Sequence, residues 1–361
     1  MQIRALKLLG IFSLSFIMLV GCFKGEQSNI NSLNDFNNTD QQENEGINEE
    51  DTNSQNDMDN NMNDAVNEET AKRDLYLLDV NGMVVAQSFD LPIPQSREVA
   101  TQVLQYLVIG GPVTELLPSG FQAVLPEGTE VLGVNLQEDG SIIVDFSEEF
   151  KNYRAEDENK ILQAITYTLT QFESIDRVFL RINGHPLTEM PINGTPIGEG
   201  YSRANGINYY LTDTIDFIAS ESVTLYYPAE YNENRYYVPI TQHIKMDDED
   251  YFSHIVAALI EGPGYEPNVI DVFNTDTTLL EQPKLEKGVL ELVFNESILK
   301  DVEQGMIADE VIETLTRTLT EFSTVDAILV KVENVNVIMN EKGEEYLEPV
   351  TIERFLKGEK L

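Results

Sequence analysis

Between residues 75 and 330 the chain states one pattern twice. Leu75-Tyr76-Leu77 matches Leu225-Tyr226-Tyr227, and Val108-Ile109-Gly110-Gly111-Pro112 matches Leu259-Ile260-Glu261-Gly262-Pro263. Ile143-Val144-Asp145-Phe146 matches Glu291-Leu292-Val293-Phe294, and Leu169-Thr170-Gln171-Phe172 matches Leu319-Thr320-Glu321-Phe322. Ile175-Asp176-Arg177-Val178-Phe179-Leu180 matches Val325-Asp326-Ala327-Ile328-Leu329-Val330. The offset stays at 148 to 151 residues throughout. Five collinear matches at one offset demand two structural units of the same kind. They are expected as domains over 73–205 and 206–361.

Each copy carries the same succession of elements. Two extended runs open it, Leu75 to Val80 with Val84 to Phe89, and Val223 to Tyr227 with Tyr236 to Ile244. A helix follows. Ser96 is its expected N-cap in the first copy, ahead of Val99, Val103, Tyr106 and Leu107 at helical spacing. In the second copy the acidic run Asp247-Asp248-Glu249-Asp250 suits a helix N-terminus. The Gly-Pro steps are expected to stop both helices. A hairpin comes next, with Asp139-Gly140 read as a two-residue turn and Lys287-Gly288 in the same place. A second helix presents Ile161, Leu162, Ile165, Leu169 and Phe172, or Ile307, Val311, Leu315, Leu319 and Phe322. A strand closes each unit, Arg177 to Ile182 and Ala327 to Val332. The order β-β-α-β-β-α-β predicts an α+β domain: a mixed β-sheet with two helices on one face, leaving the other face and two edges for contact. One more strand is expected within Glu341 to Phe355.

Upstream, Arg4 and Lys7 precede an apolar run from Leu8 to Val20, ending in Leu19-Val20-Gly21-Cys22. This is the layout of a signal peptide over residues 1–21. The tetrapeptide resembles a bacterial lipobox, in which the Cys22 thiol is acylated and becomes the first mature residue. More than one acyl chain anchors stably, at about 0.8 kcal/mol per buried CH2. Residues 22–72 read as an acidic, disordered linker. From Gly25 to Ala71 there are 13 acidic residues and no Lys or Arg, too few apolar groups to offset chain entropy.

Cys22 is the only cysteine, so a lipidated chain has no thiol for a disulfide, a thiolate metal site or a Cys nucleophile. The net charge is −40, which repels nucleic acid and anionic headgroups. From Asp74 onward, 50 acidic residues still face 18 basic ones. The three histidines, His185, His243 and His254, do not occupy matching places in the repeats and suggest no metal site. Gly110-Gly111-Pro112 ends a helix instead of starting one, and Pro lacks the N–H a phosphate loop needs. No catalytic, cofactor or metal residue is assigned. Carboxylate pairs such as Asp145 with Glu148, or Glu156 with Asp157, could in principle serve glycoside hydrolysis, but in so acidic a chain they read as solvated surface. Of the tyrosines in Tyr209-Tyr210, Tyr226-Tyr227 and Tyr236-Tyr237, strand alternation predicts one of each pair in the core and one exposed, able to stack on sugars or anchor a protein.

The lipobox, the acidic linker and two tandem α+β repeats with the helix–Gly-Pro and Leu-Thr-x-Phe features resemble the GerM family of sporulation and germination lipoproteins. Each repeat is similar to the GerMN domain. The resemblance covers 72–361 and the lipidation signal. It implies a non-enzymatic role on the extracytoplasmic face of the membrane, in the space between mother cell and forespore. There the partners implied are stage II and stage III proteins of the sporulation channel complex, with the bilayer held through Cys22. The domain is also similar to ring-building modules that oligomerise side by side, which implies an oligomer. A different reading remains open: a peptidoglycan or cortex binder acting in spore wall formation or germination, using exposed tyrosines.

Overall fold

The computed structural model describes residues 69–94, 98–209, 220–245, 250–263 and 268–356. All belong to one compact unit, Ala65–Leu361. The signal segment, Cys22, nearly all of the acidic linker, Ser96, Tyr210 and Asp247 to Glu249 lie outside the described residues.

The first repeat comprises β1 (Thr70–Leu78), β2 (Val84–Pro92), α1 (Val99–Gln105), β3 (Val131–Leu136), β4 (Ser141–Phe146), α2 (Glu158–Leu169), β5 (Arg177–Ile182) and the short β6 (His185–Pro186). The second comprises β7 (Ser220–Tyr231), β8 (Asn234–Lys245), α3 (Tyr251–Glu261), β9 (Lys284–Glu286), β10 (Val289–Phe294), α4 (Asp309–Leu319) and β11 (Ala327–Val332). A short α5 (Glu353–Leu356) follows. The α+β class and the element order are those read from the sequence.

The strands of each repeat divide into two sheets where one was expected. β1–β2 and β7–β8 are separate antiparallel hairpins. The mixed sheets run β3-β4-β5-β6 and β9-β10-β11, with β4 parallel to β5 and β10 parallel to β11. α2 contacts β1 and β2 as well as β5, and α4 contacts β7 and β11. Each long helix therefore lies between a hairpin and a mixed sheet. This explains why α2 is buried from Ile161 to Leu169 without a break.

Threonines inside these helices serve the hairpin edges. The outward N–H of Tyr76 donates to Thr168 Oγ1 at 3.0 Å, and that of Tyr226 donates to Thr318 Oγ1 at 3.0 Å. Asp74 N–H donates to Gln171 Oε1 at 3.0 Å, while Gln171 Nε2 returns a bond to Asp74 O at 2.7 Å. A side chain thus occupies the place of a neighbouring strand, and the hairpin needs no further strand to satisfy its backbone.

Three local expectations change. α1 ends at Gln105, before the Gly-Pro step, because the Val124 and Leu125 N–H groups donate to Leu107 O and the Ile109 N–H donates to Leu125 O. Those bonds pull the chain out of the helix, whereas α3 does run to Gly262 at φ 80°. The β3–β4 connection is four residues long, since β3 stops at Leu136 and β4 starts at Ser141. Asp139 Oδ1 accepts from both the Ser141 N–H (3.0 Å) and hydroxyl (2.6 Å), fixing a turn wider than the two-residue one. Gly140 closes it at φ 79°, and a Cβ there would stand 2.5 Å from Asp176 Oδ2. The stretch 341–355 forms no strand. It makes single bridges, Met339 with Glu345 and Ile328 with Val350, then enters α5.

Candidate functional site

The two repeats meet through matching elements. β2 of the first lies against β8 of the second. Asn81, in the β1–β2 turn, accepts from Asn268 Nδ2 at 3.0 Å; Asn232, in the β7–β8 turn, donates to Ser119 Oγ at 3.0 Å. These contacts are reciprocal, since Asn232 stands for Asn81 and Ser119 for Asn268 at the repeat offset.

Asn208 fills the space between the strands. Its Nδ2 donates to Val84 O (2.7 Å) and to Pro239 O (2.8 Å), and its Oδ1 accepts from Val84 N–H (2.8 Å). Beside it Ile207 exchanges bonds with Thr241, N–H to Oγ1 at 2.8 Å and back from Thr241 N–H to Ile207 O at 2.9 Å. Asn208 sits at φ 47°, in the left-handed region that asparagine tolerates. Tyr236 hydroxyl reaches across to the buried Asp79 at 2.9 Å, and its ring packs edge-on to Phe121 at 5.0 Å.

A polar cluster completes the junction. Arg203 Nη1 lies 3.3 Å from Glu321 Oε2, and Tyr226 hydroxyl donates to Glu321 Oε1 at 2.6 Å. The guanidinium stacks 4.6 Å above the Tyr167 ring and its Nε donates to Thr170 Oγ1 at 2.9 Å. Burial alone would pull the Arg203 pKa down, but the neighbouring tyrosine oxygens and Glu321 hold it above its usual value. Burial, reinforced by Glu321, pushes the Tyr226 hydroxyl well up, so it remains a neutral donor. A groove of about 720 Å³ runs along this junction. Two more of its cations are paired: Arg235 with Glu230 (3.0 Å) and Glu310, and Arg317 with Glu313 (2.7 Å) under the Tyr237 ring. Such an arrangement neutralises charge and fixes orientation.

The carboxylates picked out in the sequence are occupied structurally. Asp145 Oδ1 accepts from the Gly184 N–H at 2.9 Å, and Glu148 holds Lys151 at 2.7 Å and Asn183 Nδ2 at 3.1 Å. The second repeat copies this lock with Asn334 Nδ2 donating to Glu296 at 3.2 Å. Glu156 and Asp157 both bind Arg154, at 3.2 and 2.9 Å. His185 lies on β6, His243 on β8 near the Tyr209 ring, and His254 on α3. Among the described residues no group of three His, Cys, Asp or Glu could hold a metal ion.

The tyrosine expectation fails at Tyr226-Tyr227. Both are buried, with 7% and 2% of their surface exposed. The β7–β8 hairpin is covered on one side by α4 and bears the junction with the first repeat, so alternation exposes neither. Tyr236 is buried as well and Tyr237 is half-buried, while Tyr209 is 43% exposed. Arg203, Asn208 and Glu321 escaped the sequence reading. The one available signal was the change from Gln171 to Glu321 inside an otherwise matched motif.

The family model described as "Germane: Sporulation and spore germination" matches residues 74–188 and again 224–337. The chain is 47% identical over 284 residues to the "Spore germination protein GerM" of Bacillus subtilis, covering 78% of this chain and 77% of that one. Its fold is similar to a solved structure of the tandem GerMN domains of the sporulation protein GerM from Bacillus subtilis. The TM-score is 0.72 at 46% identity, covering 78% of this chain and 96% of that one.

Proposed function

The chain belongs to the Germane family of sporulation and spore germination, and from that premise we propose that it is a membrane-tethered, non-enzymatic lipoprotein. It helps assemble or localise the channel complex between mother cell and forespore. Acylated Cys22 holds it to the extracytoplasmic face of the membrane, and residues 22–72 give it reach. The stage II and stage III channel proteins are its partners.

One observation carries this reading. Among the described residues each mixed sheet ends at the same place in an edge strand with no further strand beside it, β3 in the first repeat and β9 in the second. Both edges expose apolar side chains, Leu132 and Leu136 on β3 and Leu285 on β9. Such edges pair readily with another sheet. Two weak docking edges joined in one compact unit reinforce each other through effective concentration. The carboxylates open to catalytic interpretation are instead engaged in turn locks and ion pairs.

The test is a crosslinking pull-down from sporulating cells. Wild type is compared with Cys22→Ala and with Leu132→Lys, which places a charge on the β3 edge. Wild type should recover channel proteins, Cys22→Ala few, and Leu132→Lys fewer than wild type at normal expression. Recovery of wall fragments alone, with no protein partner, would overturn the reading.

A further inference from the structure

α1 and α3 correspond by sequence, yet their surroundings differ. In the first repeat α1 packs on β3, and just past its end Leu107 O accepts from the Val124 and Leu125 N–H groups. In the second repeat α3 packs less closely on β9. The segment 271–282 bows away from the helix, leaving a groove of about 670 Å³. Ala257 and Ile260 of α3 form one wall, and Leu279 and Leu280 the other. Ala257 is exposed and Leu280 is 45% exposed, so among the described residues both walls present apolar surface to solvent.

One further feature bears on what fills it. Around the mouth stand Asp250, Glu261 and Asp271, none of which is paired with a Lys or Arg among the described residues. A like-charged occupant is therefore repelled. That disfavours the chain's own segment from Gly25 to Ala71, which has 13 acidic residues and no Lys or Arg. It equally disfavours an anionic lipid headgroup.

We propose that this groove is a docking site for a short peptide segment of a partner protein, with an apolar centre flanked by Lys or Arg. The apolar side chains lie between α3 and residues 279–280. The flanking cations meet Asp250, Glu261 and Asp271. Electrostatic complementarity at the rim sets choice of partner, and the apolar centre supplies affinity. The inference rests on the assembly reading above, to which it adds the chemistry of the docked segment.

The probe is a fluorescein-labelled peptide of leucine and alanine flanked by lysines, titrated against the full chain in detergent. A glutamate-flanked peptide of the same centre is the control. The lysine peptide should bind saturably and the glutamate peptide should not. Ala257→Trp, which fills the groove from an exposed helix position, should weaken binding about tenfold or more. Glu261→Lys should weaken it several-fold and flatten its salt dependence. Leu280→Glu, on the opposite wall, serves if the tryptophan variant melts early. Failure of the lysine peptide to bind, or equal binding by wild type and both wall variants, would overturn the proposal. The pull-down separates this from the assembly reading. If wild type and Ala257→Trp recover channel proteins equally, the groove is not the dock and the assembly reading stands. If wild type recovers no protein but binds the peptide in the groove, the assembly reading falls and the site remains.

Discussion

Glu158 is fully buried at the start of α2, yet it is bound by five donors. Its Oε2 accepts from Tyr153 hydroxyl (2.9 Å) and the Ile192 and Asn193 N–H groups (3.2 and 2.7 Å). Its Oε1 accepts from the Thr195 N–H (3.0 Å) and hydroxyl (2.6 Å). Burial pushes the carboxyl up, but these bonds outweigh it and the pKa falls below its usual value. A depressed carboxyl stabilises the fold at pH above its unfolded value of about 4.3, and that contribution is lost as pH drops through the folded value. Glu158→Gln turns an amide NH2 toward donors and should cost about 3 kcal/mol at pH 7. The gap from wild type should shrink below about pH 4, as read from urea midpoints against pH. The sequence drew the eye to Glu156 and Asp157, which lie two and one residues earlier and, among the described residues, pair only with Arg154 and Lys160. Nothing in composition separates three consecutive acids. What distinguishes Glu158 is the return of residues 192–195, which is set by tertiary packing.

Element identity was legible because hydrophobic period reports it. β5 and β11 coincide with the runs read from the sequence; α2 carries Ile161, Leu162, Ile165 and Leu169 and α4 carries Val311, Leu315 and Leu319 as expected, whereas Phe172, Ile307 and Phe322 lie just beyond the helix ends. The separate hairpins were not legible. Alternation in β1 and β7 states which faces are covered, and it cannot state that a helix threonine, such as Thr168, replaces the next strand. Nor does any pattern announce Asn208, whose three side-chain bonds replace a rung between β2 and β8. Asn208→Gly keeps the left-handed backbone available and deletes only those bonds. It should cost about 2–3 kcal/mol. By calorimetry it should broaden the single transition of the wild type or split it in two, one per repeat. A narrow transition at an unchanged temperature would show that Asn208 does not couple the repeats.

At the scale of the whole molecule, the repeat offset gave the number of units without their relation. Arg203 and Glu321, one from each repeat and each about one-third exposed, form an ion pair across the junction. With that much solvent, a double-mutant cycle of Arg203→Gln and Glu321→Gln should return a coupling of about 1 kcal/mol. A coupling near zero would assign the junction's strength to Asn208, Tyr236 and the packed strands. The reciprocal contacts of Asn81 with Asn268 and of Asn232 with Ser119 have one more consequence. When residue i of one unit meets j of the other, and j meets i, the interface is isologous and closes on itself. The tandem chain is in effect a homodimer whose subunits have been fused. A third repeat added in series would find no free copy of that face, so growth into a filament through the hairpins is forbidden. Any higher assembly must use other surfaces, and its repeating unit is the fused pair.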